Sequence, residues 1–306
     1  MQPMLRETHA SLRDWPVFAF YALLTLGYAA FIGVMFAQMA LELDVFLPGQ
    51  FGQMQHGAVG SHRVHDVTFG LLVTTMVVGV LAQLRRPAKN VTGMVMALIP
   101  FVGLLLAAVL SADAVDVVLR RNPLYQVAAL AGMTTLVHPA GRRLFRSFRV
   151  LRVNWMMVAL VGIAAVPLVA FASTNIDLQG TVPDDHVNLG HYGFMAAFSF
   201  TVIAAGLLAS LRADGWRLTA WVVGLLPALL GLTSLIYPDT ASSLSPIWAL
   251  AAIAWGVMFV AVAERTKHTK RPTLLGPRGV LSPKETTASP SAVGVSGTGQ
   301  THEPTS

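Results

Sequence analysis

Cysteine is absent from the chain, which excludes a disulfide, a thiolate metal site and a thiol nucleophile. Charge is scarce. Asp, Glu, Lys and Arg together make up 12% of residues, about half of the roughly 25% typical of a soluble domain. None of the long apolar runs carries a charged residue near its centre, the place where pumps and proton-coupled transporters put theirs. No phosphate-cradling glycine loop, Ser-His-Asp arrangement or zincin HExxH pair is recognisable. The familiar nucleotide, hydrolase and zinc-protease signatures are therefore missing.

Apolar sequence fills the space. The hydrophobic fraction is 54% and the mean hydropathy is +0.61. Read as segments of about 20 residues, the length needed to cross a bilayer, the runs predict an all-α polytopic membrane helix bundle of about eight transmembrane helices. The expected spans are 15–39, 64–84, 91–111, 118–138, 153–173, 191–211, 216–237 and 244–263. The first run exceeds the 7–15 residue apolar core of a cleaved signal peptide, so it reads as an uncleaved helix.

The basic residues set the expected orientation. Gly141 to Arg152 carries Arg142, Arg143, Arg146, Arg149 and Arg152 and no acid. Lys and Arg are retained on the cytoplasmic side of membrane helices. With the N-terminus inside, all of the 21 Lys and Arg residues except Arg63, Arg120 and Arg121 fall on the inner side. The formal charge of +6 thus marks topology and an inner surface facing anionic lipid, not a nucleic-acid partner. The expected location is a bacterial cytoplasmic (inner) membrane, with both termini cytoplasmic. From Glu264 onward Thr, Ser, Pro and Gly dominate, so 266–306 reads as a disordered cytoplasmic tail.

The two apolar halves resemble each other. At an offset of 127 residues, Gly79–Arg85 falls on Gly206–Arg212, and Leu98-Ile99-Pro100 falls on Leu225-Leu226-Pro227. The expected organisation is an N-terminal segment 1–14, a four-helix repeat 15–138, a basic linker 139–152, a second four-helix repeat 153–265 and the tail. Four spans per repeat is an even number, so both halves enter the membrane the same way round and are related by an axis along the membrane normal. Pro100 and Pro227 interrupt equivalent helices, and paired interruptions of this kind occur around transporter binding regions.

Polar chemistry gathers at the expected outer helix ends. His62, His65 and Asp66 lie three and four residues apart, a spacing that shares one helical face. Asp184, Asp185, His186 and His191 precede or open the sixth span. Neutral imidazole binds zinc, copper, nickel and haem iron. The candidate ligands are therefore His62, His65, Asp66, His186 and His191, with copper, zinc or haem as the cofactors these donors suit. A plainer reading assigns the aspartates to helix capping and the histidines to a solvated interface or a proton-linked role. The functional expectation is a binding protein for a transition metal or haem at an outer-face site between the repeats. The alternatives are a permease for a small neutral or apolar solute and a haem-modifying membrane enzyme.

Eight spans in two halves, with His65 and His191 opening the second and sixth, resemble the architecture of haem A synthase. That resemblance implies haem-ligand histidines on the second and fourth helices of each half. The chain departs from it at the outer ends of the fourth and eighth spans, which carry no histidine. The stretch from Asp185-His186 to Leu211, with Trp248 to Arg265, is also similar to a broad group of prokaryotic membrane proteins in which a histidine opens an Ala/Phe-rich helix. That likeness covers about the last third of the chain and implies no activity.

Overall fold

The computed structural model describes residues 19–31, 63–84, 90–111, a few positions between 129 and 138, 152–182, 185–188 and 190–268. Among these residues every regular element is helical. They are α1 (Ala19–Phe31), α2 (Arg63–Leu81) continued by a 3₁₀ turn (Ala82–Leu84), α3 (Val91–Leu110), α4 (Trp155–Thr181), the short α5 (Asp185–Asn188), α6 (His191–Ser210), α7 (Trp216–Ile236) and α8 (Pro246–His268). Six helices, α2 with its 3₁₀ turn, α3, α4, α6, α7 and α8, are long and apolar enough to cross a membrane, and α1 is a shorter apolar helix. The protein is a polytopic helical membrane protein.

Seven apolar helices are thus described, where eight spans were expected. Positions 129, 132, 133, 135 and 136 of the fourth, 118–138, are helical, and most of that span lies outside the described residues. So do most of the basic linker, the tail beyond His268 and the loop that holds His62.

Helix bounds follow local chemistry. Asn154 opens α4, its Oδ1 accepting from Met156 N at 3.1 Å and Met157 N at 3.3 Å, the usual N-cap arrangement. Its Nδ2 donates to Thr266 Oγ1 at 2.8 Å, and its backbone N–H donates to Ser210 O at 2.8 Å. One residue therefore joins the start of α4 to the ends of α6 and α8. At the same end of the bundle, the Thr92 N–H and hydroxyl both donate to Asp214 O, at 3.0 and 2.9 Å. That ties the α6–α7 turn to the first turn of α3. Gln83 donates to Gly79 O and Asn90 O, and its Oε1 lies 3.1 Å from Nε2 of the buried His138.

Two expected boundaries move. The fifth span does not stop at residue 173. Helix α4 runs to Thr181, through a stretch expected to be an outer loop. Polar residues there satisfy themselves along the helix: Thr174, Asn175 and Thr181 donate to the carbonyls of Ala170, Phe171 and Asp177, each four residues back. Helix α8 likewise runs to His268, past the expected start of the tail at 266.

Helix α6 is the hub. Within its most apolar stretch 72% is buried, against 22% for α4 and 28% for α8, and it packs on α2, α3, α4 and α7. Helices α4 and α8 present Ile163, Val166, Leu250 and Val257 outward, which suits lipid. Between helices in a bilayer the driving force is close packing, not apolar burial from water. Small residues supply it. A Cβ on Gly256 would strike Gly224 O and one on Gly224 would lie 2.7 Å from Gly256 O, so α7 and α8 meet backbone to backbone.

The 127-residue offset can be laid over these bounds. Displaced by it, 63–84 falls on 190–211 and 91–110 on 218–237. The helices found there are His191–Ser210 and Trp216–Ile236. Pro100 and Pro227 are both buried, inside α3 and α7.

Candidate metal centre

The opposite end of the bundle gathers the start of α2, the end of α4, α5, the start of α6 and the α7–α8 turn. Helix α2 turns His65 inward because it heads the buried stripe His65, Thr68, Phe69, Leu72 and Met76. That is the i, i+3, i+4, i+7 spacing of one helical face. Asp66 is one residue on, about 100° around the helix, and is exposed. His191 is the first residue of α6, on the face that continues through Met195 and Phe198. His186 lies on α5 and is half-buried.

The three histidines converge. Each offers one ring nitrogen such that all three atoms lie within 4.8 Å of one another. His65 is 0% exposed and His191 7%, so water reaches this point poorly from the bundle side. Ring centroids are 5.0 Å apart for His65 and His186, 5.2 Å for His65 and His191, and 5.8 Å for His186 and His191. Tyr192 stands edge-on to His65 at 5.6 Å and equally near His186. Of the residues proposed from sequence as ligands, His65, His186 and His191 come together, while Asp66 is not part of the group. His62 and Asp184 lie outside the described residues, as does the side chain of Asp185.

Two side chains hold the histidines in place. Gln179 Nε2 donates to Val187 O at 2.9 Å, and its Oε1 accepts from Gly193 N at 3.3 Å. It thereby fastens α5 and the first turn of α6 to α4. The link between α5 and α6 is a tight turn at Gly190, with φ +70° and its N–H donating to Val187 O at 3.0 Å. That left-handed conformation favours glycine.

Ser242 supplies the second brace. Its Oγ lies 3.1 Å from His65 Nε2 and donates to Asn175 Oδ1 at 2.7 Å. Asn175 is itself buried and donates to Phe171 O at 2.9 Å. Ser242 has φ +62°, a region non-glycine residues seldom adopt. The surrounding turn is knotted by Thr240 and Ser243, which bond to each other and to Tyr237 O, and by Ser234 Oγ, which accepts from Leu244 N.

Asn175, Gln179, Tyr192 and Ser242 were not singled out from sequence. The available signal was the i, i+4 pair Asn175 and Gln179, which places two amides on one helical face once α4 is seen to extend past residue 173. Ser242 sits in a Thr/Ser-rich turn and carries no signal of its own.

Chemically, three imidazoles with one nitrogen each within 4.8 Å of the others are a donor set of the kind that suits zinc, copper, nickel or iron. Comparison with known proteins adds no analogy: no protein-family model, no curated protein and no solved structure matches the chain.

Proposed function

We propose that this integral membrane protein binds a transition-metal ion through His65, His186 and His191. The observation that carries the reading is the mutual approach of three ligand nitrogens, from three separate elements, to within 4.8 Å. In a tetrahedral site with metal–nitrogen bonds of 2.0–2.1 Å, the nitrogens stand about 3.3 Å apart. His186, half-buried on a four-residue helix, has the most room to close that difference. Three protein ligands leave a fourth coordination position for water or a small ligand.

An ion fits better than haem. Bis-imidazole haem ligation needs two rings that each point a ring nitrogen edge-on at one iron, from opposite sides of a slot wide enough for a porphyrin. Here the His65 and His191 planes are 24° apart and stacked, and His186 and Tyr192 close around them. The ion would lie between the expected repeats, His65 coming from the first and His186 and His191 from the second.

The proposed orientation puts this site at the outer face of a bacterial inner membrane. Among the described residues, Arg152, Arg212, Arg217 and Arg265 lie at the end away from the histidines, and Arg63 at the histidine end. That asymmetry supports a cytoplasmic opposite end.

The test is metal content. Protein purified in detergent and loaded with Zn²⁺ or Cu²⁺ is expected to retain about one ion per chain. The His65→Ala/His191→Ala double variant is expected to retain none while keeping its helical circular dichroism. A wild-type protein that holds no ion after loading overturns the proposal.

A further inference from the structure

We infer that Ser242 and Asn175 form a proton-fixed relay that holds His65 as the Nε2–H tautomer and leaves Nδ1 as its ligating atom. This rests on the metal-binding reading above and names the residues that position its most buried ligand.

The donors and acceptors can be assigned in order, starting from the backbone. Phe171 O is only an acceptor, so the Asn175 group 2.9 Å from it is the amide nitrogen. The opposite orientation would set two oxygens against each other. Asn175 therefore turns its carbonyl Oδ1 toward Ser242. A carbonyl oxygen only accepts, so the single hydroxyl proton of Ser242 is used there, at 2.7 Å. Ser242 Oγ is left with lone pairs alone toward His65 Nε2, 3.1 Å away. Contact between them needs a proton on Nε2. A neutral imidazole with Nε2–H carries its lone pair on Nδ1.

Metal-bound histidines commonly donate their second ring N–H to an oxygen in this way, which fixes both tautomer and ring orientation. The relay joins residues 177 positions apart in sequence for the histidine–serine contact and 67 for the serine–asparagine contact. It ties α2 to α4 and to the α7–α8 turn. It also accounts for the conformation of Ser242. A non-glycine residue at φ +62° is strained, and such strain persists where the surroundings hold it for a purpose.

Glycine at this position separates the two roles. Ser242→Gly relieves the backbone but removes the hydroxyl that bridges Asn175 and His65, so a purely structural serine would show altered stability with unchanged metal affinity. The positioning role predicts that Zn²⁺ affinity falls about 10–100-fold, the range for loss of such an outer partner, whatever the change in thermal stability of the metal-free protein. Asn175→Leu gives a second, metal-independent signature. Without the carbonyl acceptor the Ser242 hydroxyl turns and donates to Nε2, and the His65 proton moves to Nδ1.

The experiment is imidazole ¹⁵N NMR of full-length, metal-free protein in detergent micelles, with His65 assigned by its loss in His65→Gln, alongside Zn²⁺ titration of each variant. The expected result is Nε2–H in the wild type, Nδ1–H in Asn175→Leu, and weakened Zn²⁺ binding in Ser242→Gly. A wild-type His65 in the Nδ1–H form, or Zn²⁺ affinity in Ser242→Gly equal to wild type, overturns the relay. A wild type that is Nε2–H yet takes up no Zn²⁺ overturns the metal reading instead, so the two failures are distinct.

Discussion

His65 Nε2 and Ser242 Oγ lie 3.1 Å apart, although one opens α2 and the other sits in the turn before α8. The contact closes a ring of helices at one end of the bundle, with Asn175 of α4 as its third member. Asn154 does the corresponding work at the other end, joining α4, α6 and α8. Between the two ends the helices hold each other through small residues and packed apolar side chains, with back-bonded hydroxyls such as those of Thr75 and Thr201.

Gln179 should matter to the site through the elements it holds. Its amide holds both α5 and the first turn of α6, the elements that carry His186 and His191. Gln179→Leu keeps the volume but removes both bonds. Zn²⁺ affinity is expected to fall by about tenfold, at the low end of outer-partner effects, and by less than in His65→Ala. Titration of the two variants side by side checks the order. Equal affinity in Gln179→Leu and wild type would show that α5 is placed by something else.

Asp66 provides the contrast. It neighbours His65 in sequence but turns outward on α2 and is exposed. Asp66→Asn should leave Zn²⁺ affinity at the wild-type value, since the carboxylate lies outside the histidine group. Loss of metal from this variant would bring the carboxylate back as a ligand.

Why the sequence revealed some of this and hid the rest follows from the same residues. The bounds of α2, α3, α6 and α7 were legible because apolar runs end abruptly at Gly, Asn or Arg. His65 and His191 were legible because histidine stands out at the head of an apolar helix. The outer part of α4 was not. Thr174, Asn175, Asp177 and Gln179 lower its apolar content, and nothing in a single chain shows that Asn175 and Gln179 point inward. Asp66 looked equivalent to His65 because a spacing of three or four residues identifies a shared face only once the buried face is known. Ser242 was invisible, since its role depends on a hydroxyl meeting a ring 177 positions away.

Packing between α7 and α8 should tolerate no side chain at residue 256. A Cβ there would strike Gly224 O, and the two backbones would have to separate. Gly256→Val is expected to reduce folded yield sharply and lower the thermal unfolding temperature. Gly162→Ala serves as the control, since a Cβ on Gly162 meets nothing within 4 Å, and alanine improves helix propensity by up to about 1 kcal/mol. Size-exclusion profiles and thermal melts of the two variants decide it. A well-folded Gly256→Val protein would mean that α7 and α8 part easily.

The absence of cysteine makes the proposed orientation directly testable, because any introduced thiol is unique. Asp214 is exposed in the α6–α7 turn, at the end that carries Arg212, Arg217 and Arg265. Asp239 is exposed in the α7–α8 turn, at the histidine end. The two sites are separated by the single helix α7 (Trp216–Ile236), so one crossing of the bilayer lies between them. In the proposed orientation, the excess of arginine at the Asp214 end marks that end as the cytoplasmic one. In intact bacterial cells whose outer membrane has been permeabilised, a membrane-impermeant maleimide should label Asp239→Cys and spare Asp214→Cys. After the inner membrane is opened, it should label both. Arg217 is paired with Glu264 through a 2.7 Å contact that also engages the Trp221 indole N–H at 3.0 Å. The positive-inside bias counts Lys and Arg rather than net charge, so Arg217 still counts toward the orientation beside Arg212, Arg265 and the basic linker. Labelling of Asp214→Cys alone in intact cells would invert the molecule and put the histidine cluster in the cytoplasm, where the metal it meets would come from a different pool.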